Sequence, residues 1–204
     1  MKVLNLYAGI GGNRKLWPDD IEVTAVEIEP EIAGIYKDFF PNDTVLIEDA
    51  HDYLLRHFDE FDFIWSSPPC PTHSRMEFLH DVQECKKRYP DMKLYEEIIF
   101  LKSWFKGKWC VENVVSFYEP LIKPYIVGNH YFWSNFFIPR YINKVIRGIR
   151  EDFNFMEKKT GFNIRDYNGV DKRKVLNNCV EPKLGLYIWN CAFKGKQLNL
   201  KSSP

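Results

Sequence analysis

The chain lacks most of the features that mark a membrane, secreted or metal-organised protein. No apolar run approaches bilayer-spanning length. Val3 to Tyr7 begins an apolar, strand-like run with no charged stretch and long apolar segment of the kind that forms a secretory leader. A cytoplasmic protein with no membrane partner is therefore expected. The 5 cysteines, Cys70, Cys85, Cys110, Cys179 and Cys191, are odd in number and include no Cys-x-x-Cys pair. Such a set argues against a disulfide framework and against a structural zinc site, so no metal is expected and any important cysteine acts singly. There is no internal repeat and no low-complexity tract.

Net charge is also absent, with 28 basic and 28 acidic side chains, but the balance hides a segregation along the chain. Residues 1–70 carry 5 basic and 14 acidic side chains, net −9, whereas residues 140–174 carry 10 basic and 5 acidic, net +5. The basic set of Arg140, Lys144, Arg147, Arg150, Lys158, Lys159, Arg165, Lys172, Arg173 and Lys174 suits phosphate contacts or, equally, a solvated surface. At 204 residues, 45% hydrophobic and 16% aromatic, the chain suits one globular domain with a sizeable core.

Short apolar runs rich in β-branched and aromatic residues recur at Val3 to Tyr7, Glu22 to Glu27, Thr44 to Glu48, Phe61 to Trp65 and Trp109 to Val111. Helical periodicity separates them at Glu31 to Phe39, Tyr53 to Phe58 and Tyr95 to Phe105. Alternating β and α units of this length predict an α/β fold, a doubly wound, mostly parallel sheet with helices on both faces. Beyond Pro124 the pattern changes. His130 to Phe137 is an aromatic strand candidate, Ile142 to Lys159 a charged, partly helical stretch, Val175 to Ala192 an apolar periodic segment, and Lys194 to Pro204 a fraying tail.

The chemistry-bearing residues fall where such a sheet presents its strand ends. The first strand runs into L-Y-A-G-I-G-G, Leu6 to Gly12, whose glycines allow a tight turn and close backbone approach to a ligand, or simply a turn. The second ends in V-E-I-E-P, placing Glu27 where α/β nucleotide sites accept bonds from ribose hydroxyls. The third leads to E-D-A-H, where Asp49 either accepts from an adenine amino group or caps the following helix. The fourth ends in S-S-P-P-C-P-T-H-S, Ser66 to Ser74. A cysteine between prolines at a strand end is held stiffly in the ligand crevice, which favours a nucleophile at Cys70 over a buried small apolar residue. The fifth gives W-C-V-E-N-V, in which Glu112 follows an apolar run and is expected to be partly buried. Burial favours the protonated carboxyl, which can then protonate a ring nitrogen while a thiolate adds to a ring carbon. Cys110 reads as core.

Together these residues resemble the cytosine-C5 DNA methyltransferase family, with its glycine loop, acidic ribose ligand, Pro-Cys nucleophile and Glu-Asn-Val acid in family order. R-K-V-L-N-N-C-V-E-P, Arg173 to Pro182, is similar to the family's C-terminal Asn-x-Val motif. The resemblance implies a Rossmann-like, S-adenosylmethionine-dependent methyltransferase fold in which residues 1–204 form a single catalytic domain. It implies S-adenosylmethionine as cofactor, held by Tyr7, Ala8, Gly9, Gly11, Gly12, Glu27, Ile28, Asp49, Ala50, Asn178 and Val180. It implies catalysis by Cys70 and Glu112, with Asn113 holding the Pro-Cys loop. Double-stranded DNA is the implied partner and a flipped cytosine the implied target, with Pro69 and Ser74 beside the base.

Departures from the family pattern carry their own expectations. Asn5 stands where the family has an aspartate, so the methionine amino group of the cofactor would meet a neutral acceptor. Pro71 stands where the family has glutamine. The Gln-x-Arg-x-Arg strand is replaced by G-N-H-Y-F-W-S-N-F, Gly128 to Phe136, leaving His130, Arg75 and Arg140 as substitutes for the missing arginines. The target-recognition region shrinks to an insertion at 141–170, so specificity falls to a short contact set or to a separate partner protein. Small, reduced members of this kind resemble those of phages and restriction-modification systems. Two other readings stay open, a catalytically silent DNA- or cofactor-binding regulatory subunit and an RNA cytosine methyltransferase. A dinucleotide oxidoreductase is disfavoured because Gly9, Gly11 and Gly12 give G-x-G-G in place of G-x-G-x-x-G.

Overall fold

The computed structural model describes residues 1–74, 89–139 and 152–194. Arg75, Cys85, Arg140 and most of the charged stretch from Ile142, each named above, lie outside the described residues. Seven strands form one sheet in the order β3-β2-β1-β4-β5-β7-β6. They are β1 (Lys2–Leu6), β2 (Glu22–Val26), β3 (Thr44–Leu46), β4 (Phe63–Ser66), β5 (Lys108–Val114), β6 (Tyr125–Val127) and β7 (His130–Ser134). The first five pair in parallel, while β7 runs antiparallel to β5 and β6 antiparallel to β7. Helices α1 (Pro30–Phe39), α2 (Ala50–His57) and α3 (Lys93–Trp104) lie between successive parallel strands. Strand order reverses between β1 and β4, which creates the crevice where such sheets bind ligands. The architecture is a doubly wound, Rossmann-like α/β fold.

Period-two alternation explains the two cores. Leu4, Leu6, Ile64 and Val111 point to one face and meet Leu54 of α2 and Ile98 and Leu101 of α3. Val3, Phe63, Trp65 and Phe132 point to the other and meet Trp17, Ile188 and Trp189. Trp65 and Phe63 are completely enclosed, and burial of a side chain of this size contributes about 1.5–3 kcal/mol. The second face is covered by α6 (Pro182–Phe193), whose Trp189 ring sits 5.0 Å from Trp17. A third cluster joins α4 (Phe153–Thr160) and α5 (Lys172–Asn177) to α1 through Ile35, Met156, Phe162, Val175 and Leu176.

The periodic segment Val175 to Ala192 packs on the core as two helices, α5 and α6, because Pro182 starts the second helix at its first turn and Asn178 ends the first. The strand Tyr125–Val127 was not expected. It is only three residues long and follows a proline, and it exists because Gly128, at φ +62°, turns it directly into β7.

One buried ion pair anchors the segment after the glycine loop to the chain entering β3. Arg14 donates from Nε to Asp43 Oδ2 at 3.0 Å and from Nη2 to Oδ1 at 3.3 Å, and Tyr36 donates to the same carboxylate at 2.8 Å. Both Arg14 and Asp43 are buried. Asp43→Ala would strand an enclosed guanidinium. It is expected to lower the stability measured by urea denaturation by about 3–5 kcal/mol.

Candidate active site

The turn leaving β1 is built from backbone that L side chains rarely adopt. Tyr7 and Gly9 both have φ of 54° and Gly11 has 82°. Ala8 N donates to Val26 O and Gly11 N to Ala8 O, each at 3.0 Å, so the turn is tied to β2. A Cβ at Gly11 would strike the Phe40 and Tyr36 rings, and one at Gly12 would strike Val180 O and Cys179 Sγ. The glycine loop and the Asn178–Val180 segment are thus in backbone contact across most of the sequence. A Cβ at Gly9, by contrast, would enter open space, and the buried Ala8 lies just beneath.

Asn5 is not where the sequence suggested. It is completely enclosed, and its amide is committed to Asn13: Asn13 Nδ2 donates to Asn5 Oδ1 at 2.7 Å and Asn5 Nδ2 returns a bond at 3.4 Å. A side chain held this way ties β1 to the segment after the glycine loop and is shielded from solvent.

Glu27 follows β2 and its carboxylate accepts from Gly9 N at 2.9 Å and Glu29 N at 3.1 Å. Ile28 and Ile47 beyond the ends of β2 and β3 expose large apolar surface, 58% and 56%. Asp49 caps α2, accepting from Asp52 N at 3.0 Å, and Ala50 is buried behind it. Asp49 also lines a cleft with Tyr7, Pro68, Pro69, His73 and Lys93. Asn178 is exposed and Val180 half-buried.

The loop after β4 is fixed by main-chain bonds. Pro68 O accepts from Asn113 Nδ2 at 3.0 Å, Cys70 O accepts from His73 N and Ser74 N at 3.0 Å, and Ser74 bridges to Ser116. Cys70 is half-buried, Pro69 exposed. Burial pushes the thiols of Cys110, Cys179 and Cys191 upward, Cys179 to about 12, which withdraws them from nucleophilic chemistry. Glu112 and Asn113 sit within β5, both buried, and His130 Nδ1 lies 2.6 Å from Glu112 Oε1. Part of the basic segment is already neutralised, since Arg165 pairs with Glu157 at 2.6 Å. Among the described residues no group of acidic, His and Cys side chains is arranged to hold a metal ion, and no helix is long and apolar enough to cross a membrane.

Sequence reasoning missed the carboxylate beneath the site. Glu97 of α3 is completely enclosed. It accepts from Tyr7 Oη at 2.6 Å and Ser66 Oγ at 2.6 Å, and His51 Nδ1 lies 3.1 Å away. The signal was present: Glu97 lies on the stripe Leu94, Ile98, Leu101, and a charge on an apolar helical face has to find partners. It holds Tyr7 in its left-handed conformation and ties together the ends of β1 and β4 and the first turn of α2.

The model of the C-5 cytosine-specific DNA methylase family matches residues 1–114. The tRNA (cytosine(38)-C(5))-methyltransferase of Homo sapiens is 29% identical over 93 residues, covering 42% of this chain and 24% of that protein. Its Bos taurus counterpart is 30% identical over 90 residues, 41% and 23% of the two chains. The chain thus spans about a quarter of the length of these curated relatives. A solved structure of a Spodoptera frugiperda DNMT2 variant is 28% identical, with a TM-score of 0.39, over 55% of this chain and 35% of that one.

Two outcomes follow from the geometry. Glu97→Ala leaves the Tyr7 and Ser66 hydroxyls and the His51 ring without their buried acceptor, at about 1–3 kcal/mol for each orphaned group, and urea denaturation should show a loss of at least that size. His51 has its pKa raised, first by its hydrogen bond to Glu97 and then, against desolvation, by the Glu97 and Glu96 charges. Its stabilisation is therefore full below its unfolded value of about 6.5 and fades as pH rises through the higher folded value. The stability difference between wild type and His51→Gln should shrink on going from pH 6 to pH 8.

Proposed function

The chain belongs to the C-5 cytosine-specific DNA methylase family, and on that premise we propose that it transfers a methyl group from S-adenosylmethionine to C5 of cytosine in double-stranded DNA. The observation that carries the reading is the cleft that Tyr7, at the start of the glycine loop, lines together with Asp49, Pro68 and Pro69, the last of which directly precedes Cys70.

The residues fit the cofactor. Open space above Gly9, the braced Glu27 carboxylate, and the exposed faces of Ile28 and Ile47 offer, in turn, room for a ligand backbone, acceptors for ribose hydroxyls and apolar surface for a purine ring. Tyr7, Ala8, Gly11, Gly12, Ala50, Asn178 and Val180 complete the set. S-adenosylmethionine supplies an electrophilic methyl group at that crevice. The protein does the rest. Cys70 Sγ adds to C6 of a base turned out of the duplex while Glu112 protonates N3, which makes C5 nucleophilic. After methyl transfer N3 returns its proton to Glu112, and a solvent water takes the C5 proton as the C5–H electron pair forms the C5=C6 bond and the C6–Sγ bond breaks, releasing the Cys70 thiolate. Asn113, through Pro68 O, keeps the Cys70 loop at a fixed distance from Glu112.

DNA is favoured by the family match. RNA is the second reading, because the curated relatives named above carry tRNA in their names. Residues 141–170, partly outside the described set, are assigned to a reduced target-recognition region, with a separate specificity protein as its complement, and phosphate contacts fall to Lys158, Lys159, Arg173 and Lys174.

Labelled methyl transfer to mixed-sequence duplex DNA and to tRNA should be compared for wild type, Cys70→Ala and Glu112→Gln. Cytosine C5 in DNA is the expected product, with losses of more than about 10²-fold in each variant. Labelling of tRNA alone selects the RNA reading. Binding of both cofactor and DNA without transfer to either nucleic acid selects a silent regulatory subunit.

A further inference from the structure

The replaced arginine strand leaves one contact that the activity above does not use. β5 and β7 are antiparallel with Val114 opposite His130 and Glu112 opposite Phe132. His130 is therefore the diagonal neighbour of Glu112 on one face of the sheet, within reach of it. Its Nδ1 lies 2.6 Å from Glu112 Oε1, short enough for a charge-assisted bond. The carboxylate side chain is 9% exposed and the imidazole 31%, so the ring closes the open side of an otherwise enclosed acid.

We propose that His130 is a positioning residue that holds the Glu112 carboxyl in place and supplies the proton that Glu112 delivers to the target ring nitrogen. The proposal rests on the methyl-transfer reading. As the Cys70 Sγ–C6 bond forms, the one proton held by the pair passes from His130 Nδ1 to the Glu112 carboxylate and on to N3, leaving a neutral imidazole and a carboxylate. After methyl transfer N3 gives that proton back by the same path. No oxidant or further reactant is needed. A fixed arginine cation could hold the carboxylate but could not hand over its proton, and this is the chemical difference that histidine introduces.

The charged groups facing the pair come from several elements. Burial disfavours the imidazolium, but the hydrogen bond and charge of Glu112 outweigh it, Lys159 of α4 opposes the net upward shift, and Glu181 before α6 assists it. Cys110 of β5 also feels the Glu112 charge. His130 should thus stay protonated above the ordinary histidine range and lose its proton as pH rises further.

The test has two arms. Imidazole titration by NMR should give His130 an apparent pKa above about 6.5 in wild type, falling in Glu112→Gln. A wild-type value at or below the ordinary one, unmoved by that change, overturns the pairing. In the second arm, His130→Gln should lower kcat roughly 10- to 100-fold with KM for the polynucleotide changed less than about threefold, and shift the alkaline limb of the kcat profile to lower pH. A kcat loss with the alkaline limb unmoved reduces His130 to packing and overturns the hand-off. If wild type transfers no methyl group to DNA or RNA, the methyl-transfer reading and the hand-off fall together, whereas the NMR arm still reports whether the pair exists.

Discussion

A single buried carboxylate holds the site in shape. Glu97 brings no chemistry of its own, yet three elements that share no sequence proximity end on it: the turn after β1 through Tyr7, the end of β4 through Ser66, and the first turn of α2 through His51. A charge this deep in an apolar core is tolerated only because its acceptor capacity is met. Geometry follows from that requirement. Because Tyr7 must reach Glu97, the glycine loop leaves β1 in a left-handed conformation, and because Ser66 must reach it, β4 ends where Pro68 and Pro69 can enter the crevice. Burial and Glu97 together push the Tyr7 phenol far up, so it remains a hydrogen-bond donor at all physiological pH.

Above this floor, the two halves of the site are arranged by different means. The side proposed for the cofactor is mostly main chain: the loop from Tyr7 to Gly12, the backbone of Val180 against Gly12, and Glu27 accepting from Gly9 and Glu29. The side proposed for the reaction is mostly side chain, with Asn113 fixing Pro68 O and His130 closing over Glu112. The two sides come from strands on either side of the point where the sheet order reverses, β1 and β2 on one side and β4 and β5 on the other. Rigid strands at that junction suit a reaction that requires a thiol, an acid and a donor of a one-carbon group to be held in fixed relation.

Strand ends were legible in the sequence because their signals are local. A glycine cluster, an acidic residue after an apolar run, or a cysteine between prolines announces itself within ten residues. Partners were not legible, because they come from distant segments: Tyr7 and Glu97 are 90 residues apart and Arg14 and Asp43 are 29 apart. Nearness in sequence was no guarantee either: Asn13 is only eight residues from Asn5, and the bond between their amides shows in the structure alone. Asp49 carried both of its readings into the structure. Its cap bond to Asp52 is formed, and the same side chain still borders the crevice. The hairpin of β6 and β7 shows a further limit, because an aromatic strand is visible in sequence while a three-residue partner after a proline is not.

The central claim is that Cys70, and no other thiol, forms the bond to cytosine. It is tested most directly by incubating the protein with S-adenosylmethionine and nucleic acid carrying 5-fluorocytosine, followed by peptide mass mapping. Fluorine at C5 cannot leave as a proton does, so the thioether to C6 persists. The account predicts a base adduct on the peptide carrying Cys70, formed only when the methyl donor is present and absent in Cys70→Ala. An adduct on Cys85, Cys110, Cys179 or Cys191, or methylated cytosine produced by the Cys70→Ala variant, would contradict it.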